Sequence, residues 1–306
     1  MTPLRHFDQV INSVKANEPV TIAVAAAADH HVMEAVIDAH QQGIARFILI
    51  DDQEKMERIA AHHSFSLTDV EVMHQPELTQ TARDAVRAVH DRKANIVMKG
   101  MIQTADFLRA VLHKEYGLAK GGVLSHIAAF QIPGYDRLVL VTDSGLNIAP
   151  TLKEKVQIIE NAISLSHSIG VREPKVALLG AIELVNPNMP ATMDAAVLTQ
   201  MNRRGQIRGA LIDGPLALDN AISLAAAEQK GIESEVAGMA DVLVVPNIES
   251  GNILYKSLSY FAHSQIGSLV VGASAPVVLT SRSDGHQNKL RSIALAVLQA
   301  RQQLSK

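Results

Sequence analysis

With 306 residues, a net charge of -3 and no cysteine, the chain excludes disulfides, a thiolate nucleophile and every cysteine-ligated metal or iron–sulfur site. Apolar residues make up 47% but aromatic residues only 3%, with no Trp and four Tyr, which argues against the stacking platforms and basic groove of a nucleic-acid reader. The stretch M-T-P-L-R-H-F-D-Q-V lacks the apolar core of a signal peptide, and no run nears the ~18 apolar residues of a membrane span; a cytoplasmic protein without a membrane partner is expected.

Short β-branched runs alternate with helix-length amphipathic segments: V-T-I-A-V at 20–24, A-R-F-I-L-I at 45–50, N-I-V-M at 95–98 and R-L-V-L-V at 137–141. The rhythm resumes with K-V-A-L-L at 175–179, G-A-L-I at 209–212, D-V-L-V-V at 241–245 and S-L-V-V at 268–271. Strands separated by helices predict βαβ crossovers and largely parallel sheets, with Ala, Val, Leu and Ile as core. From His31, the positions Val32, Ala35, Val36 and Ala39 form one apolar stripe, and Leu290, Ile293, Ala294, Val297 and Leu298 repeat the spacing, which predicts a packed closing helix. At roughly 150 residues per domain the length suggests two units. The Gly- and Pro-punctuated stretch T-D-S-G-L-N-I-A-P at 142–150 and the turn near Thr280 are the expected boundaries. They predict a first α/β lobe of 1–143 plus 282–306, a second of 144–281, and a cleft between them.

Polar residues gather where these strands end, which is where open α/β folds bind ligands. After P-V-V-L-T come Ser281, Arg282, Ser283 and Asp284 at a strand-to-helix turn. Ser281 and Asp284 have the spacing of a capping box, whereas Arg282 is placed to hold a phosphate or a developing oxyanion. Lys99 and Gly100 end N-I-V-M-K-G, with Arg109 one helical stretch on; two cations suit an anionic substrate, although this is not a Walker loop. Asp143 and Asn147 follow another strand, and either residue type also initiates ordinary turns. Glu249, Gly251 and Asn252 lie where V-V-P-N-I-E-S-G-N passes into a helix, with a glycine that permits close backbone approach. Asp29-His30-His31 looks metal-like, but adjacent histidines face different ways. Ser125-His126 is no triad signal without geometry, and no G-x-G-x-x-G follows a strand.

Seven ordered segments are similar to the phosphate acetyl/butyryl transferase family, and to its butyryl branch more than its acetyl branch. They are M-K-G-M-I-Q-T-A-D-F-L-R-A-V-L, L-S-H-I-A-A-F, V-T-D-S-G-L-N-I-A-P, V-N-P-N-M-P-A-T-M-D-A-A-V-L, G-A-L-I-D-G-P-L-A-L-D-N-A, V-P-N-I-E-S-G-N-I-L-Y-K-S-L and P-V-V-L-T-S-R-S-D. The resemblance implies a two-lobed α/β/α fold like isocitrate and isopropylmalate dehydrogenases, assembled as a homodimer or higher homo-oligomer. It implies reversible exchange, acyl-CoA plus phosphate giving acyl phosphate plus CoA, without a covalent enzyme intermediate. Coenzyme A is then a substrate, and no permanent cofactor or metal is implied. Ser281 would orient the thiol or carbonyl, Arg282 would stabilise the tetrahedral intermediate and leaving phosphate, and Arg109 would hold phosphate. Lys99, Gly100, Asp143, Asn147, Glu249, Gly251 and Asn252 complete the expected binding set.

One departure bears on mechanism. Acetyl-type enzymes carry a catalytic-base Asp seven residues after the Ser, where this chain has Asn288. Asp284 is the expected substitute; a free thiol titrates near about 8.5, so the base need not be strong if Arg282 and Lys99 favour the thiolate. Two other classes are weighed beside the transferase. A metal- and NAD-dependent decarboxylating dehydrogenase needs converging Asp residues, and a CoA-binding protein without activity would release no thiol in the presence of phosphate.

Overall fold

The computed structural model describes residues 2–15, 18–280 and 284–305. They form two compact units, one of 7–122 with 267–306, the other of 1–6 with 123–266.

The first unit opens with α1 (Phe7–Lys15), then β1 (Val20–Ala25), α2 (His30–Gln41), β2 (Ala45–Asp51), α3 (Gln53–His62), β3 (Glu71–His74), α4 (Leu78–His90), β4 (Ile96–Lys99) and α5 (Thr104–Val111). Strands β1 to β4 run parallel in the order β3-β2-β1-β4; β1, β2 and β4 are apolar and largely buried, as expected for a covered parallel sheet, and β3 is the exposed edge. The register sets Ala25 opposite Lys99, so β1 and β4 end together. The stripe Val32, Ala35, Val36 and Ala39 of α2 is fully buried.

The second unit holds β5 (Ser125–Gln131), β6 (Leu138–Thr142), α6 (Leu152–Ser168), β7 (Lys175–Leu179), α7 (Pro190–Arg203), β8 (Leu211–Leu216), α8 (Leu218–Ile222), α9 (Leu224–Gln229), β9 (Val242–Val244) and α10 (Ile248–Tyr260). Its strand order is β5-β6-β9-β7-β8, parallel except for the antiparallel β5–β6 pair. Phe130, Val139, Val141, Leu243 and Tyr255 pack in its core. Helix α6 starts on a true capping box, Thr151 accepting from the Glu154 N–H while the Glu154 carboxylate accepts from Thr151.

The chain returns to the first unit through β10 (Gln265–Val271), β11 (Val277–Val278) and α11 (His286–Leu304). Strand β11 pairs parallel with β4 and antiparallel with β10. Leu290, Ile293, Ala294, Val297 and Leu298 of α11 are buried, so the closing helix is packed as its spacing predicts.

The division falls at 122/123 and 266/267 rather than at the expected 143/144 and 281/282. The β6–β9 ladder from Leu140↔Val242 to Thr142↔Val244 joins β6 to the second unit, β5 follows through its ladder with β6, and the β10–β11–β4 pairing joins 267–280 to the first. Residues 2–6 join the second unit because the Leu4 N–H donates to the Ile169 carbonyl and Arg5 pairs with Asp136 at 2.7 Å.

Candidate active site

In the second unit the strand β6 ends in a loop built around one carboxylate. Asp143 is 3% exposed. Its Oδ1 accepts from the Gly145 and Leu146 N–H groups at 2.8 and 2.9 Å. Its Oδ2 accepts from the His126 N–H at 3.2 Å, the Asn147 N–H at 3.3 Å and the Asn147 side-chain amide at 2.5 Å. That amide also donates to the Leu124 carbonyl at 2.8 Å. A buried carboxylate is stable only with such donors, and five of them pin the loop in one conformation.

Helix α10 docks on this loop through a glycine. A Cβ at Gly251 would lie 2.5 Å from the Asp143 carbonyl oxygen, 2.8 Å from Val245 Cγ2 and 3.0 Å from Ser144 Cα. The close approach is thus made by the Asp143–Ser144 backbone. Asn247 caps the helix by accepting from the Ser250 N–H, and Glu249 and Asn252 stand exposed in its first turns.

His126, set aside above with Ser125 as no triad signal, meets Ser144 here, a residue the sequence did not single out. His126 Nδ1 lies 2.9 Å from Ser144 Oγ, both side chains are buried, and the ring rests against Gly145. Each belongs to a segment that carries the family resemblance, L-S-H-I-A-A-F and V-T-D-S-G-L-N, but only the fold brings them together. Imidazole and hydroxyl are hydrogen-bonded to each other, and both side chains are buried.

In the first unit, β4 ends at Lys99, which is 3% exposed and donates to the carbonyls of Gly100 and Ile102 at 3.0 and 3.2 Å. Gly100 follows because the β1 backbone crowds it: a Cβ would sit 2.0 Å from the Ala26 carbonyl oxygen and 2.7 Å from that of Ala25. Arg109 projects from the last turn of α5 with its side chain 75% exposed, paired with Asp106 at 2.7 Å.

Ser281 and Arg282 lie outside the described residues; Asp284 is the first described residue after them. Helix α11 begins at His286 with Gly285 as its cap and no side-chain capping bond, so Asp284 precedes the helix; the Ser281 half of the capping-box reading lies outside the described residues. Instead, Lys289 reaches back from the first turn of α11 and donates to the Asp284 carbonyl. Burial pushes the Lys289 ammonium below the usual lysine range, and the carboxylates of Asp284 and Asp29 partly oppose this. Asn288 accepts from Arg291 at 2.9 Å.

Among the described residues no helix is long and apolar enough to cross a membrane. The arrangement of largely parallel α/β units with polar loops at strand ends defines a class also seen in solved enzymes. A 4-hydroxythreonine-4-phosphate dehydrogenase from Klebsiella pneumoniae shares the fold alone, with TM-score 0.54, 14% identity, and coverage of 92% of this chain and 99% of that one. A branched-chain phosphotransacylase from Enterococcus faecalis V583 matches with TM-score 0.82 and 35% identity over 92% of this chain and 99% of that one. A phosphate butyryltransferase of Clostridium acetobutylicum is 48% identical over 297 residues, 97% of this chain and 99% of the relative. The family model described as "Phosphate acetyl/butaryl transferase" matches residues 6–83 and 74–297, and the chain belongs to that family.

Proposed function

We propose that this protein is a phosphate acyltransferase that moves a short acyl group, butyryl foremost, between coenzyme A and inorganic phosphate. The supporting observation is the 48% identity, over nearly the full length of both chains, to a relative named for that reaction. The absence of cysteine agrees with direct attack, since no thiol is available for a cysteine acyl-enzyme. In the acyl phosphate direction the CoA thiolate adds to the acyl carbonyl carbon, the tetrahedral intermediate collapses, the C–O bond to phosphate breaks and phosphate leaves with its electron pair.

Ser281 orients the reacting thiol or carbonyl, and Arg282 neutralises charge on the intermediate and on the departing phosphate. Asp284 receives the thiol proton, and Lys289 holds the backbone of that turn. Lys99 and Arg109 supply positive charge for anionic substrates, while Gly100 lets the Lys99 turn close on β1. Asp143, Asn147 and Gly251 act as a scaffold that seats α10, from which Glu249 and Asn252 face substrate. Coenzyme A takes part as a substrate, with no permanently bound cofactor, in a cytoplasmic enzyme.

A homodimer or higher homo-oligomer accompanies this reading. The second unit exposes Leu184 (69%), Val185, Ile253 (67%), Tyr260 and Phe261 (86%), large apolar side chains that a second copy would cover. Light scattering coupled to size-exclusion chromatography checks it; a monomer at assay concentrations refutes it.

The decisive experiment measures phosphate-dependent CoA release from acetyl-, butyryl-, isobutyryl- and longer acyl-CoAs. Butyryl- and isobutyryl-CoA should turn over fastest, with a broad profile, because a pocket discriminates by only about 1–3 kcal/mol per methylene. No phosphate-dependent release from any thioester would refute the reading.

A further inference from the structure

At the edge of its sheet opposite Lys99, the first unit holds a cavity of about 620 Å³. Asn95, directly before β4, and Ala275, just before β11, both line it, so it lies where these strands open rather than where they reach Lys99 and Val278. None of the residues assigned to acyl transfer lines it. Its wall is rich in donors. Arg92 and Lys120 bring two positive charges and His90 an imidazole, while among the described residues no Asp or Glu contributes. These three side chains make no hydrogen bond or ion pair to the described protein. The Asn95 Oδ1 accepts from the Thr21 N–H at 2.9 Å, which leaves the NH2 group as the end of that side chain able to meet a ligand.

A cation beside a helix C-terminus often only completes the helix. Here the backbone already closes α4: the Asp91 N–H donates to the Arg87 and Val89 carbonyls, the Arg92 N–H to Val89 and the Lys93 N–H to Ala88. Arg92 makes that turn at φ +60°, in the left-handed region, where glycine is the ordinary residue because it has no Cβ to crowd the carbonyl. An arginine there stands against the preference of its own backbone, an outlier that points to a role for the side chain. Lys120 is fixed across the cavity from the other direction. The Ala119↔Ala273 bridge and the Ser274 N–H, which donates to the Leu118 carbonyl at 2.7 Å, tie its segment to the residues that lead into β11. Converging donors without an acidic neighbour suit oxygen anions. Among the described residues no Phe, Tyr or Trp lines the cavity, so it offers a nucleobase no stacking platform, and its small neutral walls suit an aliphatic body.

We propose that the Arg92–Lys120–Asn95 cavity binds a small aliphatic polyanion, an organic molecule carrying two or more carboxylate or phosphate groups. Carboxylates and phosphates share this chemistry, and the site does not depend on the acyltransferase reading.

The test is calorimetric titration of the parent, Arg92→Gly, Lys120→Gln and Lys93→Gln with citrate and with fructose 1,6-bisphosphate, in the presence of excess coenzyme A and inorganic phosphate. All three substituted side chains are exposed, so the fold is not at stake. At least one probe should bind the parent, citrate alone marking a carboxylate site and the bisphosphate alone a phosphate site. Losing one charge-assisted contact should weaken that probe by about ten- to a hundredfold in Arg92→Gly and in Lys120→Gln. Lys93→Gln, which removes a neighbouring charge outside the cavity, should keep parental affinity. Arg92→Gly should also melt at or above the parent's temperature, because glycine relieves the left-handed turn, so a purely structural role for Arg92 predicts the opposite pairing of results. The proposal is overturned if neither probe binds the parent, if coenzyme A and phosphate displace the probe, or if Arg92→Gly and Lys120→Gln bind as the parent does. It is overturned equally if Lys93→Gln weakens binding as much as they do, or if Arg92→Gly melts below the parent. Affinity is read without turnover, so failure of the acyltransferase reading registers separately from failure of this site.

Discussion

Replacing Asp143 by Asn tests how the β6 loop is held, because the change conserves shape and removes acceptors. Asparagine can keep its one oxygen toward Gly145 and Leu146, the partners of Oδ1. Its NH2 group then faces the His126 N–H, the Asn147 N–H and the Asn147 amide, all donors that now meet a donor. Each buried donor left unsatisfied costs about 1–3 kcal/mol, so three set a range of about 3–9 kcal/mol against a typical total of 5–15. Relaxation of the loop favours the lower end, about 3 kcal/mol. Urea unfolding followed by circular dichroism should show the midpoint falling at unchanged slope. Thermal melts should fall by about 6–12 °C, at 2–4 °C per kcal/mol. Asp143→Ala should be no worse than Asp143→Asn, since a small cavity accepts water more readily than opposed donors accept one another. An Asn variant within about 1 kcal/mol of the parent would refute this account of the loop.

Gly100→Ala should cost about 3 kcal/mol or more, above the usual overpacking range, because its Cβ would meet the backbone oxygen of Ala26 at 2.0 Å and no side chain can yield; parental stability in denaturant melts would contradict the close packing. Arg282→Lys should lower turnover by about 10²–10³ in the phosphate-dependent CoA release assay, since a point charge does not replace a guanidinium fork; turnover within a fewfold of the parent would remove Arg282 from the chemistry. Burial raises Asp241 above the usual carboxylate range despite the Lys175 N–H and the Arg137 and Lys175 charges. Its stabilising contribution is therefore full below about pH 3.9, where it is protonated in both states, and is lost as pH rises through the raised value. Asp241→Asn retains an acceptor for the Lys175 N–H and should match or exceed the parent by up to about 1 kcal/mol at pH 7, with the difference shrinking toward pH 4. Melts showing more than about 2 kcal/mol of loss at pH 7 would reverse the sign.

The strands legible from sequence are those whose composition is β-branched and doubly buried, such as Val20–Ala25 and Lys175–Leu179. Three elements gave weaker signals. Ser125–Gln131 is half small residues, Glu71–His74 is a short edge strand, and Val277–Val278 is only two residues long. Because β5 is invisible to periodicity, its antiparallel partnership with β6 is too, and the expected boundary slides to the Gly- and Pro-rich loop at 143–150. At the site, Asp143, Asn147 and Gly251 were legible as polar or permissive strand-end positions. That all three serve one another was not, because no pattern in sequence reports which donors surround a carboxylate. The His126–Ser144 contact spans 18 positions and joins β5 to the loop after β6, a pairing that periodicity does not report. Lys289 hides inside an apolar helical pattern, where a lysine reads as a solvated interruption, yet it is 3% exposed.

The glycine at 251 divides α10 into residues open to variation and one that is not. A library built on this helix can randomise Glu249 and Asn252, whose side chains are exposed. Position 251 tolerates no side chain without moving the helix off the Asp143 backbone. Variation at the two open positions therefore changes what the helix presents while its placement stays constant, so selected variants can be compared on a common geometry.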